Sequence, residues 1–281
     1  MESAMEADTG LFGPSTVTWR VHADPMMIVG GLRALYLQAL HPVALRGVAD
    51  HSDFRGDPWG RLSRTGDFIG TITYGTRERA QEAAARVRAV HGALGGIDPH
   101  TGRAYRVDEP DLLRWIHCCE VDSFLTTIRR AGLQLSDTEA GRYLREQRLS
   151  AELVGLDPES VPTSQAELDD YFTDMRPQLC ANERARQAAQ FVVLPSMPVW
   201  VQAATPARPA WAGVAGLAFA LLPRWARRLY GMPGLPTTDL AATASAMATR
   251  RALLAIPASL RDGPHIKDAR RRLQGETTSA A

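Results

Sequence analysis

"TRERAQEAAARVRAVHGALGG", residues Thr76 to Gly96, carries the pattern that decides the fold class of this chain. Its apolar stripe recurs at intervals of four and three residues, which places side chains on one face of an α-helix. The members of the stripe are Ala80, Ala84, Val87, His91 and Leu94. Thr76 is a favourable N-cap, and Gly95-Gly96 ends the helix. One member of this helical stripe is a histidine.

Helical periodicity continues on both sides of this stretch, and short alternating runs typical of strands are nearly absent. Residues 96–105 are predicted as a turn-rich loop. The sequence therefore predicts an all-α fold in a single multi-helix domain over residues 26–268. An N-terminal extension (1–25) precedes it, and a basic tail (269–281) predicted to be disordered follows. The predicted helices cover about 26–40, 59–74, 76–94, 109–132, 137–155, 164–179, 182–193, 211–222 and 239–260.

Several helix ends have local signals. The first apolar helix ends at His41-Pro42, because the residue before a proline resists helical geometry, and His41 is expected to cap. Asp108 is predicted to cap the helix that follows it. Ser136 and Glu139 form a capping box.

Composition restricts the function classes. The chain has 281 residues and a formal net charge of +1, which gives no reason to expect a nucleic-acid partner. Its three cysteines make no C-x-x-C pair and suit a reducing compartment. The longest apolar run, Trp211 to Leu222, is shorter than the roughly 20 residues of a membrane span. Acidic residues occupy the N-terminal stretch where a signal peptide would be basic. We expect a cytoplasmic protein with no transmembrane segment.

A cationic face is predicted at "WGRLSRTGDF", Trp59 to Phe68. Arg61, Arg64 and Thr65 stand at i, i+3 and i+4, so they share one face of the helix. The alternative is an ordinary solvated surface. Since a short connection at Gly75 joins this helix to the next, the two are expected to lie antiparallel and adjacent. The arginines would then face His91 across a pocket.

His91 is the main candidate for a metal ligand. The alanines around it make a shallow helix face with room for a flat molecule, and haem iron is often held by one proximal histidine. Arginines can pair with haem propionates or orient oxygen. The alternative is that His91 is an ordinary core histidine.

His117 is the rival ligand, because it lies three residues before Glu120 on one helix face. This His-x-x-Glu order reverses the di-iron motif, and a structural histidine paired with Asp122 or Glu120 is the alternative. His51, with Asp53, is interpreted as a local turn network or part of the pocket wall. The remaining histidines, His22, His100 and His265, are predicted to lie on the surface.

An ordered series of motifs then becomes recognisable. It comprises "LQALHP", "GVADHSDFRGDPWGRLSRT", "YGT", "VRAVHGAL", "TGRAY", "DEPDLLRWIH" and "VDSF", between about Met26 and Val161. A weaker echo lies at "LLPRWARRLYG", Leu221 to Gly231. This series resembles the family of the rubber oxygenases, or latex-clearing proteins, to which the MpaB-type oxygenase domain also belongs.

The resemblance implies an all-helical fold around a b-type haem and an O₂-dependent reaction. It implies that His91 is the proximal iron ligand. Arg61, His51 and His117 are further candidates for contact with the cofactor. The family's distal Arg-x-x-Lys-Thr segment falls on Arg61 to Thr65, and this chain has arginine at position 64 where the family has lysine. Arg61, Arg64 and Thr65 are thus the implied catalytic residues. Since arginine stays protonated, it is a poor replacement for a lysine that caps iron.

We therefore expect a haem b-dependent oxygenase or oxidase that uses O₂ on a hydrophobic small molecule, with a homodimer as one possible assembly. Serine-hydrolase, dinucleotide-binding and Walker motifs are absent from the sequence. Two other hypotheses stay open: a haem-binding or sensing protein without turnover, and a helical interaction protein without a cofactor.

Overall fold

A computed structural model describes residues 8–52, 56–98 and 101–279. Its α-helices are α1 (Val17–His22), α2 (Met27–Gln38), α3 (Pro42–His51), α4 (Pro58–Tyr74), α5 (Arg77–Ala93), α6 (Pro110–Arg130), α7 (Asp137–Glu146), α8 (Arg148–Leu153), α9 (Gln165–Met175), α10 (Glu183–Val193), α11 (Val199–Ala204), α12 (Ala207–Ala220), α13 (Arg224–Leu229), α14 (Pro236–Leu254), α15 (Ala258–Arg261) and α16 (Pro264–Ser279). Short 3₁₀ helices span Pro158–Ser160 and Arg176–Gln178. The predicted all-α fold is confirmed.

One small β-hairpin interrupts the helices. Strand β1 (Gly95–Ile97) pairs antiparallel with β2 (Ala104–Arg106), with Gly96 opposite Tyr105. The sequence prediction placed a loop here, because strands of three residues are too short for an alternating pattern to show. The hairpin connects the C-terminal end of α5 to the start of α6.

The core lies between α2 and α6, the two helices with the most extensive contact. Trp115, Leu125 and Ile128 of α6 and Leu32 and Leu37 of α2 are almost completely buried there. Around this pair pack α1, α7, α9, α12 and α14. Because α2 is apolar around most of its circumference, neighbours cover nearly every side of it.

Three of the predicted helix caps are confirmed. Thr76 accepts a hydrogen bond from the Arg79 amide, and Ser136 and Glu139 form the capping box. The Nδ1 of His41 accepts from the amide of Ala44, so His41 caps α3. The prediction for Asp108 is wrong: Glu109 is the N-cap of α6, and Asp108 pairs with Arg106.

Both predicted ends of the domain are packed against the helical body. Within the extension 1–25, α1 places Val17 and Val21 in the core. Within the tail 269–281, α16 continues as a helix to Ser279, Ala269 is completely buried, and Leu273 packs with the preceding Ile266 near Trp19. The expectation of disorder is wrong there, because residues 266, 269 and 273 form an apolar stripe at helical spacing.

The tail's basic residues also have partners. Arg272 donates to the backbone carbonyls of Tyr74 (2.9 Å) and Asp8 (3.1 Å).

No single helix among the described residues combines the length and the apolarity needed to cross a membrane. The test is passed only by α2 and α3 taken together, and these two helices are bent by 110° relative to each other.

The three cysteines are free and differ in exposure. Cys118 and Cys119 lie buried on α6, whereas Cys180, between α9 and α10, is exposed. Burial raises the pKa of both buried thiols.

Candidate active site

A cavity lies between α2, α3, α4, α6 and α10. It has about 60 Å³ of usable space and opens to solvent. This is below the ~300–1,000 Å³ typical of preformed small-molecule sites. The wall is mainly aliphatic, and Arg61 is its charged member. The lining residues are Leu35, Tyr36, Gln38, Ala39, Ala44, Leu45, Val48, Arg61, Ile116, Ala188, Ala189 and Val192.

The start of α4 is fixed against this wall by its own sequence. The Asp57 carboxylate accepts a hydrogen bond from the Gly60 amide (2.9 Å), and Pro58 occupies the first turn, where a missing N–H costs nothing. The Trp59 indole donates to the carbonyl of Ser196 (2.8 Å) and packs edge-on against Trp211. These contacts hold the start of α4, the helix that carries Arg61.

The three residues of the predicted cationic face do not all face the cavity. Arg61 lines the cavity. Arg64, whose side chain is 67% exposed, pairs with Asp57 at 3.1 Å. The exposed Thr65 hydroxyl donates to the Arg61 carbonyl one turn earlier (3.1 Å). The prediction that all three residues share a pocket face is therefore wrong for Arg64 and Thr65, because the cap carboxylate and the helix backbone satisfy them outside the cavity.

Arg61 is the polar group of this wall that lacks a partner. The Tyr36 hydroxyl donates to the Ala215 carbonyl (3.3 Å), and the Gln38 amide donates to Glu120 (3.4 Å). In contrast, the Arg61 guanidinium makes no side-chain hydrogen bond and no ion pair with any described residue. Burial, with a further contribution from the Arg64 charge, lowers the Arg61 pKa. The Arg61 guanidinium is therefore free to donate to an anionic group that reaches the wall.

His91 lies near the end of α5, outside the lining of the cavity. It is half-buried, and its Nδ1 atom is buried without a hydrogen-bond partner. Burial lowers the pKa of His91, although the Asp108 carboxylate opposes the shift. The imidazole is therefore neutral near pH 7 and has an unused nitrogen, which is the state that a metal ligand requires.

His117 is buried on α6, next in sequence to the lining residue Ile116. Burial lowers its pKa to about 4. The alternative pairing with Asp122 or Glu120 is not formed: Asp122 pairs with Arg33, and Glu120 accepts from Gln38. His117 is thus a second neutral imidazole close to the cavity. Among the described residues, no cluster of three or more histidine, cysteine or acidic side chains could hold a metal.

Glu120 is a functional candidate that the sequence treated only as a partner of His117. It lies one turn after Ile116 and faces Gln38. Burial raises the pKa of Glu120 to about 7, while the Gln38 hydrogen bond acts in the opposite direction. This carboxyl group can therefore hold or release a proton at neutral pH. The signal was the unpaired acid within an apolar helix, but only the fold shows how deeply it is buried.

The other histidines have structural partners. The His51 Nε2 lies 2.9 Å from the carbonyl of Gly95, which links α3 to the hairpin; its predicted partner Asp53 lies outside the described residues. His265 pairs with Asp67 at 2.7 Å. His100 lies outside the described residues.

The prediction that His22 lies on the surface is wrong. Its ring nitrogens lie 2.8 Å from the Thr73 hydroxyl and 3.2 Å from the Tyr143 hydroxyl, and burial lowers its pKa to about 3. The polar sequence around His22 hid this role, since the contacts come from α4 and α7.

The donor types would suit a haem, but the structure does not bring them to one cavity, because His91 lies outside the lining that contains Arg61. An orphaned buried nitrogen on a neutral imidazole suits an iron ligand, and an unpaired guanidinium on an aliphatic wall suits an apolar macrocycle with carboxylate substituents. His51 is committed to the hairpin, so it fits this set less well than Arg61, His91 and His117.

The chain is thus an all-helical body with a mainly aliphatic cavity. The family model described as "ER-bound oxygenase mpaB/B'/Rubber oxygenase, catalytic domain" matches residues 19–252. The chain belongs to this family, and the predicted resemblance is confirmed. Searches of curated proteins and of solved structures found no match.

Proposed function

We propose that this oxygenase is haem b-dependent and uses O₂ on a hydrophobic small molecule. The observation that carries the proposal is the aliphatic cavity with the unpaired Arg61 on its wall. Family membership supports the oxygenase chemistry. The neutral imidazoles of His91 and His117 support an iron ligand.

His91 would hold the haem through an imidazole nitrogen, and His117 is the alternative ligand. When bound, the haem supplies the iron at which O₂ is activated. The side chains of α2, α3 and α10 bind the apolar substrate and exclude water, which strengthens every charge interaction at the wall. Arg61 donates hydrogen bonds to negative charge that develops within the cavity. Glu120, hydrogen-bonded to Gln38, holds a proton at its carboxyl group beside the same wall.

The catalytic role is thus proposed for Arg61. Arg64 and Thr65 are proposed to affect access and the position of α4 instead, because they lie on its outer side.

The absorption spectrum of the purified protein tests the cofactor. We expect a Soret band that organic solvent extracts, since the sequence lacks the C-x-x-C-H motif of covalent attachment. A colourless protein that takes up no added haem contradicts the proposal and favours a helical interaction protein.

Two matched variants test the ligand. His91→Ala should weaken haem binding about 100-fold, whereas His117→Ala should retain haem. The reverse result assigns the iron to His117. Oxygen consumption with electron-rich alkenes and phenols then tests turnover, and haem binding without consumption of oxygen favours a sensing protein.

A further inference from the structure

A second cleft lies beside the start of α4, between α4, α11 and α12. It has about 460 Å³ of usable space, which is within the ~300–1,000 Å³ typical of small-molecule sites. We infer that this cleft binds the body of a neutral, hydrophobic molecule and that this molecule is the substrate of the oxygenase. The second part rests on the proposed function, since it assigns where that substrate binds. The lining residues are Trp59, Met197, Pro198, Val201, Ala207, Ala210, Trp211 and Val214.

The lining offers a ligand no charge and no unused hydrogen-bonding side chain. The indole N–H of Trp59 donates to the carbonyl of Ser196 (2.8 Å), and that of Trp211 donates to the carbonyl of Val192 (2.9 Å). The other six lining side chains are apolar. A charged or hydrogen-bonding group covered by this lining would lose its contacts with water and gain no side-chain partner. The part of the ligand that the cleft covers is therefore uncharged and apolar.

The aromatic wall of the cleft is in place without a ligand. Trp59 and Trp211 pack edge to face, with their ring centroids 4.7 Å apart and an angle of 71° between the rings. Trp211 and Val214 also pack against the main core. Since the folded protein already fixes these side chains, binding orders few groups and loses little affinity to entropy.

The cleft adjoins the Arg61 cavity. Helix α4 contributes Trp59 to the cleft and, two residues later, Arg61 to the cavity wall. Val192 lines the cavity, and its carbonyl holds the Trp211 indole of the cleft. With about 60 Å³ of usable space, the cavity has room for a few molecules the size of water or O₂ but not for a whole substrate. A molecule bound in the cleft therefore lies beside the cavity, which only its reacting end has to reach.

Fluorescence titration of the haem-free protein with N-phenyl-1-naphthylamine, at pH 7.5, tests the cleft. The matched probe, 8-anilinonaphthalene-1-sulfonate, has the same rings and adds a sulfonate. The neutral probe should bind the wild type about 10-fold more tightly, because no lining side chain pairs with the sulfonate. Ala210→Trp places a large side chain at the exposed rim of the cleft and should weaken the neutral probe about 10-fold through lost apolar contact. Ala85→Trp, the same substitution at an exposed position of α5, should leave the affinity unchanged.

Equal affinity of the two probes overturns the neutral character of the ligand, and an affinity that Ala210→Trp leaves unchanged overturns the location. Circular dichroism checks folding, and Ala207→Phe is the second variant that fills the cleft if the first does not fold. Sedimentation velocity tests a second copy of the chain as the occupant. A wild-type dimer that becomes monomeric with Ala210→Trp and with Trp200→Ser, at a 70% exposed residue of α11, overturns the ligand site in favour of a dimer interface.

Oxygen consumption by the haem-loaded protein tests whether the bound molecule is the substrate. Ala210→Trp should retain the Soret band and raise the KM for an electron-rich alkene about 10-fold with little change in kcat, because it affects binding and not the chemical step. An unchanged KM in a variant that has lost the neutral probe overturns the substrate assignment. If the chain takes up no haem but binds the neutral probe in the cleft, the binding site stands and the proposed haem function fails.

Discussion

The α2–α6 interface contains a fully buried arginine and the cavity wall a half-buried one, and only the first has partners among the described residues. In the interface, Arg33 contacts Asp122 and Ser123 at 2.7 Å each and donates to the carbonyl of Leu221. On the cavity wall, Arg61 has no such partner among the described residues. The first arginine is a part of the fold, and the second costs stability that a ligand can restore. This difference separates structural from functional polar groups here.

The largest effect is expected when the paired arginine is removed. Arg33→Met should lower the free energy of unfolding by about 3–5 kcal/mol, because Asp122 would be left buried without its counter-ion. Urea denaturation measures the change. A loss below about 1 kcal/mol would show that the interface tolerates an unpaired acid. Arg33 would then not be the structural residue that the comparison with Arg61 requires.

Glu120, on α6 and hydrogen-bonded to Gln38 of the cavity wall, should make the stability of the protein depend on pH. Its pKa is raised from 4.5 to about 7, so the stability contributed by the protonated carboxyl is complete below pH 4.5 and is lost as the pH rises through about 7. Glu120→Gln should therefore match the wild type near pH 4.5 and exceed its free energy of unfolding by about 3 kcal/mol at pH 8. Because His22 and His117 titrate in both proteins, the difference between the two curves isolates Glu120. Parallel curves would contradict the burial of this carboxyl.

Removal of the unpaired arginine should act in the opposite direction to Arg33→Met. Arg61→Met is expected to raise the free energy of unfolding of the haem-free protein by about 1 kcal/mol, since an apolar side chain of similar length replaces an uncompensated charge. Thermal or urea unfolding measures it. A loss of several kcal/mol would reveal a structural partner for Arg61 and would make the two arginines alike.

The smallest effect is expected at the exposed pair. Arg64→Ala should change the free energy of unfolding by less than about 0.5 kcal/mol, because water and salt screen its contact with Asp57. The measurement is repeated at high salt, where the difference should shrink further. A larger, salt-independent loss would indicate that Arg64 supports the fold of α4.

Local signals in the sequence predicted the helices and several of their ends well. The stripe of α5, the Thr76 cap and the capping box of Ser136 and Glu139 depend on neighbours within about one turn, and all are present. The fold class and the family resemblance follow from such patterns and are confirmed.

What the sequence could not predict depends on distant contacts. Helical spacing gives the angle between Arg61 and Arg64 around the helix axis, but not which of them faces the cavity. The sequence therefore did not predict that Arg61 lines the cavity while Arg64 is exposed. His22 has a polar local context, yet Thr73 and Tyr143 reach it from other helices. The pairing that makes α16 part of the body similarly depends on carbonyl groups far away in sequence.

The three cysteines differ in exposure, and this difference allows the rate at which the fold opens to be measured. Cys180 is at the surface, while Cys118 and Cys119 are buried in the core in the middle of α6. A thiol reagent should therefore modify one cysteine immediately and the adjacent pair only as fast as α6 becomes exposed. The slow phase of labelling reports the opening rate of the central helix, and its retardation by an added compound would identify a ligand without any knowledge of the reaction.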